Sequence, residues 1–474
     1  MSSLRNFSVF LYFIGFAAFT SLAQNFSASE PILISDQHGG YHPQIVGTDS
    51  GDALVLWTDP ISKNCYFTRV SGSNVETPKA LNPTGLDVQS YNWSGPDLAR
   101  WNDDIYVVFR EDGYSTGHIY LVKSTDNGQN FSDTIRVDHL NEGYAQYPDV
   151  AVYNDTIFIT YMTHDKDGLN PQYVVVRSTD GGNNFGNPAE VSSLLGNEAC
   201  DCCQPELVVN EEYVIQLFRN NNQNIRDIHA LVSKDRGLTF QEILQVDQHQ
   251  WLINACPSTG PDALLDNGKL WSVYKSFENN RNKVFLNEHQ LGANTSNLGS
   301  VDLSLNLPNN SNYPQIAGKE SLLGVVFEGN DQGVDVFFNA STNGIAGLDE
   351  ANRINLTAKS GNQFKPAIAY SGSAYKFHVV YEDAGALYYV TVDQTQSISE
   401  LDHLTQNKSL ALSKSQNYLM LHEELNYSIH DLQGRKILEQ TSNQVDLRAL
   451  TPGHYIFQTQ SGKSELIKRI IITP

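Results

Sequence analysis

The stretch Gly95-Pro96-Asp97-Leu98 joins a proline, a polar residue and an aliphatic residue, and variants of it recur along the chain. The proline of this pattern occurs at Pro43, Pro96, Pro148, Pro205, Pro261, Pro314 and Pro366. Successive prolines are 53, 52, 57, 56, 53 and 52 residues apart. A near-constant spacing of this length is typical of repeat proteins, in which each unit packs on its neighbours. The chain therefore divides into seven repeats, which we number by their prolines.

Each repeat contains short segments that favour β-strands. In repeat 2 these are residues 97–101, 105–109, 118–123 and 134–137, separated by polar turns and loops. Four strands per unit and seven units predict an all-β fold, a seven-bladed β-propeller. The seventh repeat has only three clear strands. We expect segment 31–35, or alternatively segment 398–404, to supply the fourth and so remove an open sheet edge.

A turn with the pattern Ser-x-Asp-x-Gly-x-x-Phe follows the third strand in repeats 2, 3 and 4. Its aspartates are Asp126, Asp180 and Asp235. In such a turn the aspartate accepts backbone N–H groups, the glycine permits a positive φ, and the phenylalanine fills the edge of the blade. We predict that these aspartates are structural and not catalytic.

These turns resemble the Asp box of the sialidase-like (BNR-repeat) β-propeller superfamily, over roughly residues 30–400. The resemblance implies a fold that occurs in sialidases, other glycosidases, polysaccharide lyases and non-catalytic proteins. Sialidases carry an Arg-Ile-Pro near the first blade, whose arginine grips the substrate carboxylate. Here the corresponding stretch is Tyr41-His42-Pro43-Gln44-Ile45, which has no arginine. This difference puts sialidase activity itself in doubt.

Both ends of the chain carry signals for export. Residues 1–23 have a basic start at Arg5, an apolar segment and the small-residue site Ser21-Leu22-Ala23, which predicts a secretory signal peptide. Residues 405–474 no longer follow the repeat. They contain D-x-x-G-R and L-x-P-G-x-Y elements and a basic end, and they resemble the C-terminal sorting domain of proteins exported by the type IX secretion system of Bacteroidetes. The alternative is a small accessory β-sandwich that binds carbohydrate.

The composition limits the class of partner. The 474 residues include 31 basic and 53 acidic residues, so the formal net charge is −22. This charge argues against nucleic acid or anionic lipid as the main partner. No segment after the signal peptide is long and apolar enough to predict a membrane span. We expect a secreted or outer-surface protein with a propeller over residues 24–404.

The first strand of each unit lines the channel of a propeller, so the residues around the repeat prolines should surround its mouth. The loops between second and third strands should open on the same face. From both sets the candidate catalytic residues are His42, Tyr147, His164, Asp97 and Glu206. The candidate substrate-binding residues are Arg110, Arg219, Arg226, Trp93 and Lys365. Arginine suits a carboxylate or sulfate, and tryptophan can stack on a sugar ring. This set favours an acidic polysaccharide as the ligand.

Two kinds of catalysis fit these residues. A polysaccharide lyase acting on a uronate needs a cation to neutralise the carboxylate and a base, for which His42, His118, His164 and Tyr147 are candidates. A glycoside hydrolase needs two carboxyl groups across the scissile bond, for which Asp97, Glu111, Asp149, Glu206 and Asp262 are candidates. The alternative function is a non-catalytic surface module that binds glycan or protein.

Four of the five cysteines lie just before two successive repeat prolines. They are Cys200, Cys202, Cys203 and Cys256, whereas Cys65 lies alone in repeat 1. Equivalent positions in adjacent blades should bring the four together. Export favours a disulfide between Cys256 and one of the other three, with a second pair inside the cluster as a further option, and a copper or zinc site is the alternative. Calcium is a further candidate cofactor with no residues assigned. Cys65 is expected to be a buried free thiol.

Overall fold

The computed structural model describes residues 25–473 except positions 38, 92, 114, 331–332, 359–360, 373–375, 398–409, 414–417, 432–434, 452 and 462–463. The signal-peptide prediction for residues 1–23 lies outside these residues. The described part of the chain is built from β-strands in seven sheets and contains no α-helix. Its helical turns are the short 3-10 segments Ser192–Leu195, Gly344–Gly347, Glu350–Asn352 and Leu447–Ala449.

The first four sheets follow repeats 1 to 4. Sheet 1 contains Tyr41–Gly47, Ala53–Asp59, Asn64–Ser71, Asn74–Val75 and Lys79–Ala80. Sheet 2 contains Asp97–Trp101, Asp104–Arg110, Ile119–Ser124 and Ile135–Arg136. Sheet 3 contains Tyr144–Tyr153, Thr156–His164, Gln172–Ser178 and Ala189–Glu190. Sheet 4 contains Glu198–Ala199, Glu206–Val209, Val214–Asn221, Ile228–Ser233 and Glu242–Gln245.

The remaining sheets follow repeats 5 to 7. Sheet 5 contains Asp262–Asp266, Lys269–Glu278, Arg281–Gln290 and Ser296–Asp302. Sheet 6 contains Ser311–Lys319, Leu322–Asn330, Val334–Ser341 and Ile354–Asn355. Sheet 7 contains Gln363–Ser371, Lys376–Asp383 and Ala386–Ser397, together with the N-terminal strands Asn25–Ala28 and Ile32–Ser35. Neighbouring strands in these sheets pair antiparallel.

The N-terminal strands complete the seventh sheet. Ile32–Ser35 pairs with Ala386–Ser397, with Ile32 opposite Tyr389 and Leu33 opposite Tyr388. The prediction that segment 31–35 supplies the missing strand is confirmed, whereas segment 398–404 lies outside the described residues. The first strand of each sheet contacts the first strand of the next, and the first strand of sheet 7 contacts that of sheet 1. The two ends of the repeat region therefore meet in one sheet.

The second strand of each sheet is buried on both faces because it lies between two neighbouring sheets. All seven residues of Ala53–Asp59 are buried. Apolar clusters fill the spaces between sheets, such as the one that joins Val108 and Leu121 of sheet 2 to Ile157 and Ile159 of sheet 3. Each fully buried aliphatic side chain contributes roughly 1.5–3 kcal/mol. These inter-sheet layers hold the inner strands in place around the channel.

The Ser-x-Asp-x-Gly-x-x-Phe turns have the predicted structural role. In the first copy, Asp126 Oδ1 accepts from the backbone N–H of Asn130 at 2.8 Å and from Ser124 Oγ at 2.7 Å. Gly128 has a φ of 83°, and Phe131 packs against the cluster between sheets 1 and 2. Asp180 and Asp235 make the corresponding contacts in the next two copies. All three side chains are occupied within their own turns.

We expect Asp126→Asn to destabilise the fold at neutral pH but not in acid. The hydrogen bonds from Asn130 and Ser124 lower the pKa of Asp126 to about 2. This value lies below the unfolded value of about 3.9, so the carboxylate stabilises the fold above about pH 4 and loses that effect as the pH falls towards 2. Calorimetry should show a Tm lower by roughly 2–4 °C at pH 7. The exposed Asp133→Asn is the control, and an equal Tm loss at pH 7 and pH 2 would contradict this account.

The C-terminal strands extend sheet 7, because the end of Ala386–Ser397 pairs in parallel with the start of Tyr418–Asp431, with Gln396 opposite Leu419. Tyr418–Asp431 pairs antiparallel with Lys436–Asp446 and with Gly453–Ser461. Gly453–Ser461 also pairs antiparallel with Ser464–Thr473, which pairs in parallel with Leu410–Ser413. Their buried core contains Tyr427, Ile429, Val445, Leu447, Leu450, Tyr455 and Phe457. In the D-x-x-G-R element, Asp431 accepts from the backbone N–H and the Nε of Arg435 at 2.9 and 2.6 Å.

Candidate functional site

A cavity of about 80 Å³ lies where the inner strands of the sheets converge. Residues from all seven repeats line it: His42, Pro43, Gln44, Trp93, Asp149, Gln204, Pro205, Glu206, Thr259, Gly260, Pro261, Asp262, Tyr313, Pro314, Gln315, Lys365 and Pro366. Five of the seven repeat prolines are among them. The proline spacing thus located the cavity from the sequence. We call this cavity the central pocket.

The residue before the proline has an unusual backbone in four repeats. His42, Tyr147, Tyr313 and Lys365 have φ values of 49°, 54°, 43° and 51°. In each case the strand register shifts at this point, as it does between Tyr41 and Gln44. A bulge re-aims a side chain, and a positive φ costs a residue with a Cβ about 1–2 kcal/mol. The same unfavourable backbone conformation therefore recurs at the residue before the proline in four repeats.

In three repeats the side chain of the residue after the proline bonds to the next sheet. Asp97 Oδ2 accepts from the backbone N–H of Val150 at 3.1 Å, and Asp262 Oδ2 accepts from that of Ile316 at 2.6 Å. Gln315 makes the same kind of bond, from Ile368 N–H to its Oε1 at 3.3 Å. These bonds give the channel side chains a structural role. Gln44, Gln204 and Gln315 were missed as site residues, although their position relative to the proline would have revealed them.

Four carboxyl groups lie together in the channel: Asp97, Asp149, Glu206 and Asp262. Burial raises the pKa of each, that of Asp262 to about 7. Asp97 hydrogen-bonds to Asp149, and Glu206 hydrogen-bonds to Asp262. The charges of neighbouring carboxyls add to burial in raising the pKa of Asp149 and of Glu206. All four groups therefore resist ionisation.

We expect the Asp149→Asn variant to be more stable than the wild type at alkaline pH. Burial raises the pKa of Asp149 well above its usual value, so the native state binds a proton that the unfolded chain releases. The stability held by that proton is present in acid and is lost as the pH rises through the native pKa. The Tm should rise by roughly 3–6 °C at pH 8 and hardly change at pH 5. The exposed Asp103→Asn is the control; a Tm lowered equally at both pH values would contradict the assignment.

His42 and Lys365 face the central pocket from adjacent repeats. Burial and the charge of Lys365 lower the pKa of His42 to about 3, so its imidazole is neutral at neutral pH. His42 Nε2 is buried and has no hydrogen-bond partner among the described residues. A Cβ at residue 95 would lie 2.7 Å from His42 Cδ2, which explains the glycine there. His42 therefore contributes a neutral imidazole to the lining of the pocket.

Lys365 is the cation of the pocket. Its Nζ lies 3.0 Å from the centroid of the Tyr313 ring, which is a cation–π contact. Burial lowers the pKa of Lys365 to about 8. Among the described residues no carboxylate is within ion-pair distance of its Nζ, although Glu328 accepts from its backbone N–H at 2.8 Å. Trp93, which is 36% exposed and stacks on Tyr91 at 5.0 Å, adds an aromatic face.

The predicted arginines lie away from the central pocket, and Arg110 and Arg219 donate to backbone carbonyls. Arg110 donates to Ala145 O and Gly113 O, both at 2.6 Å. Arg219 donates to Thr259 O, Arg226 O and Lys275 O, and its guanidinium lies over the Trp251 ring at 5.2 Å. Arg226 Nη1 is 3.0 Å from Cys200 Sγ. The contacts of Arg110 and Arg219 join neighbouring sheets, and none of the three arginines lines the central pocket.

Three predicted catalytic residues, Asp97, Tyr147 and His164, also lie outside the pocket lining. Tyr147 is buried, and its hydroxyl donates to Asp201 O at 3.0 Å. His164 is buried and stacks on Tyr144 with ring centroids 4.6 Å apart. Of the predicted site residues, the structure brings His42, Trp93, Glu206 and Lys365 together at the pocket.

The cysteines before repeats 4 and 5 are close together. Cys202 and Cys256 form a disulfide, which confirms the prediction that Cys256 pairs with one of the other three. Cys200 and Cys203 are free and buried. Cys65 is a buried free thiol, as predicted. The Sγ atoms of Cys200, Cys202 and Cys203 all lie within 4.8 Å of one another.

Comparisons with known proteins identify the C-terminal part. Residues 410–473 match the family described as a secretion system C-terminal sorting domain, the type IX domain expected from the sequence. The chain is therefore addressed for secretion to the outer cell surface. No helix in the described part of the chain has the length and apolar character to cross a membrane. No curated protein matches the chain.

Solved structures match the all-β fold. A polysaccharide lyase of family PL25, an ulvan lyase, has 10% identity and a TM-score of 0.52, covering 75% of this chain and 94% of its own. A protein of unknown function from Dyadobacter fermentans has 12% identity and a TM-score of 0.47, covering 78% and 99%. A Hadza microbial sialidase has 15% identity and a TM-score of 0.45, covering 66% of each chain. At these identities the lyase shows a similar fold and nothing about activity.

Proposed function

We propose that residues 24–404 form a secreted seven-bladed β-propeller, preceded by a signal peptide in residues 1–23 and followed by a β-sandwich sorting domain in residues 405–474. The seven sheets, one for each proline repeat, support the blade number. The cyclic contacts between their first strands support a closed arrangement. Limited proteolysis with mass spectrometry should release a stable fragment that ends near residue 404.

We propose that the central pocket binds an acidic polysaccharide and that the protein is carbohydrate-active. The observation that carries this proposal is Lys365, a cation with no carboxylate on its ammonium, beside the aromatic rings of Tyr313 and Trp93. A carboxylate or sulfate would supply the missing anion, and the aromatic rings suit the faces of a sugar. The ulvan lyase of similar fold was solved with a unit that contains GlcA, and that unit guides the choice of test glycans.

Of the two chemistries, the pocket supports lyase better than hydrolase action. In a lyase, Lys365 would neutralise a uronate carboxylate while the neutral His42 accepts the adjacent C–H proton. The electron pair of that bond forms a C=C bond, the glycosidic C–O bond breaks, and the leaving oxygen takes a proton from solvent. A hydrolase needs one of its two carboxyl groups ionised, which the burial of Asp97, Asp149, Glu206 and Asp262 opposes.

The direct test is to incubate the purified exported protein with uronate-containing, sulfated and neutral polysaccharides. A lyase produces new ultraviolet absorbance from the unsaturated sugar, whereas a hydrolase produces new reducing ends without it. We expect absorbance with a uronate substrate only. Binding without either product would support the second candidate, a non-catalytic glycan-binding module, for which the small pocket volume argues. If the protein bound no acidic glycan, both the lyase proposal and the glycan-binding proposal would be wrong.

A further inference from the structure

The cysteine cluster has sulfur atoms within reach of one another in a row. Cys200 Sγ lies 3.5 Å from Cys202 Sγ, which is bonded to Cys256, and 3.3 Å from Cys203 Sγ. Cys200 thus lies between a disulfide and a second free thiol. Thiol–disulfide exchange needs a thiolate next to a disulfide sulfur. Cys200 is next to the existing disulfide, and Cys203 would be next to the disulfide that Cys200 forms in attacking it.

The disulfide-bonded pair Cys202–Cys256 and the free pair Cys200 and Cys203 differ in their access to solvent. Cys256 is exposed and Cys202 is partly exposed, so the disulfide faces solvent. Cys200 and Cys203 are 0% and 1% exposed and lie beneath it. An external thiol can therefore reach the outer pair, whereas the inner pair is reached only through it.

Buried cations surround the inner thiols. Arg226 donates to Cys200 Sγ at 3.0 Å, and the charges of Arg219 and Lys275 act on Cys203. Burial acts to raise the pKa of Cys203, but the Cys200 S–H and the Arg219 guanidinium outweigh it and lower the pKa to about 6. The hydrogen bond to Cys203, together with burial, raises the pKa of Cys200. The Arg226 donor and the nearby charges of Arg219 and Lys275 thus favour a thiolate within the inner pair.

We propose that the four cysteines form a thiol–disulfide exchange centre that passes a disulfide between the exposed pair Cys202–Cys256 and the buried pair Cys200–Cys203. This inference does not depend on the proposed carbohydrate function. The proposed reaction of the cluster has a co-substrate, an external thiol or disulfide that reaches Cys256. A purely structural disulfide between repeats 4 and 5 would not need the free thiols of Cys200 and Cys203 beside it.

The exchange takes two steps. Cys200 gives its proton to Cys203 and attacks Cys202 Sγ; the bond to Cys256 breaks, and Cys256 leaves as the thiolate. The proton on Cys203 then passes to Cys256. Next, the Cys203 thiolate attacks Cys200 Sγ, and Cys202 leaves as the thiolate. One S–S bond is present before and after, so the internal exchange needs no oxidant or reductant.

The test uses alkylation of the native full-length protein at pH 8, followed by digestion and mass spectrometry under non-reducing conditions. In the wild type we expect label on Cys202 and Cys256, together with both the Cys202–Cys256 and the Cys200–Cys203 disulfides. In Cys200→Ser the labelling rate of Cys256 should fall at least about tenfold, because the attacking group is gone. In Cys203→Ser the first step remains, so labelling of Cys256 should persist and a Cys200–Cys202 disulfide should accumulate.

Cys65→Ser is the control, since this buried thiol lies in sheet 1, away from the cluster, and should change nothing. The contrast between Cys200→Ser and Cys203→Ser separates exchange from a loss of folding, and the Tm of each variant checks that both are folded. A wild type with Cys202–Cys256 as its single disulfide and no label on Cys256 would overturn the proposal. So would zinc or copper bound stoichiometrically to the purified protein.

Discussion

The Arg219→Met variant is expected to lose about 3–5 kcal/mol of unfolding free energy. Arg219 is fully buried in sheet 4 and donates at 2.6 and 2.8 Å to the carbonyls of Arg226 and Lys275, and more weakly to that of Thr259. Methionine fills much of the same volume but donates nothing. Three buried carbonyls would then lack a donor, and each unsatisfied group costs about 1–3 kcal/mol. Urea denaturation followed by tryptophan fluorescence would measure the loss.

Two variants control this measurement. Arg177→Met removes an arginine whose guanidinium donates to the exposed carbonyl of Arg236. This variant should lose less than about 1 kcal/mol of unfolding free energy. Arg219→Lys keeps the charge but has no planar fork, so its loss should lie between the other two. If Arg219→Met were as stable as Arg177→Met, the hydrogen bonds of Arg219 between sheets 4 and 5 would not stabilise the fold. A normal stability with lost glycan binding would instead return Arg219 to the substrate site.

The second large effect is expected at Lys365. Lys365→Gln should weaken binding of an acidic glycan by about 10- to 100-fold, because it removes the cation of the central pocket. Binding to the wild type should also depend on pH. The pKa of Lys365 is lowered to about 8, so the ammonium is present below pH 8 and is lost as the pH rises through that value. Titration calorimetry with an oligouronate between pH 6 and 10 measures both effects.

Lys365→Arg should keep binding above pH 8, because a guanidinium stays charged there. The matched control is Lys319→Gln, since Lys319 is exposed at the far end of a strand of sheet 6 and carries the same charge. Equal weakening by Lys319→Gln and Lys365→Gln would mean that general charge attracts the glycan. Unchanged binding in Lys365→Gln would remove the pocket from the proposed function.

The sequence alone predicted the repeat structure because the pattern is local and recurs. Each proline marks a first strand, so the spacing located the channel and the central pocket. The turn around Asp126 was predicted in detail, since all its partners lie within a few residues. The closing strand Ile32–Ser35 and the pairing of Cys256 followed from the register of the repeats. The sorting domain was identified by its own short elements.

Only the tertiary structure decided what the buried polar groups do. Arg219 and Arg110 were predicted to bind substrate, yet carbonyls up to 56 residues away take their donors. Their sequence neighbours give no sign of this, because a buried guanidinium takes partners from whatever backbone packs against it. The same holds for the hydrogen bond between Asp97 and Asp149 and for the choice of Cys202 over Cys200 and Cys203. Periodicity determined which residues face the channel, whereas distances of a few ångströms between sheets determined which of them remain available for chemistry.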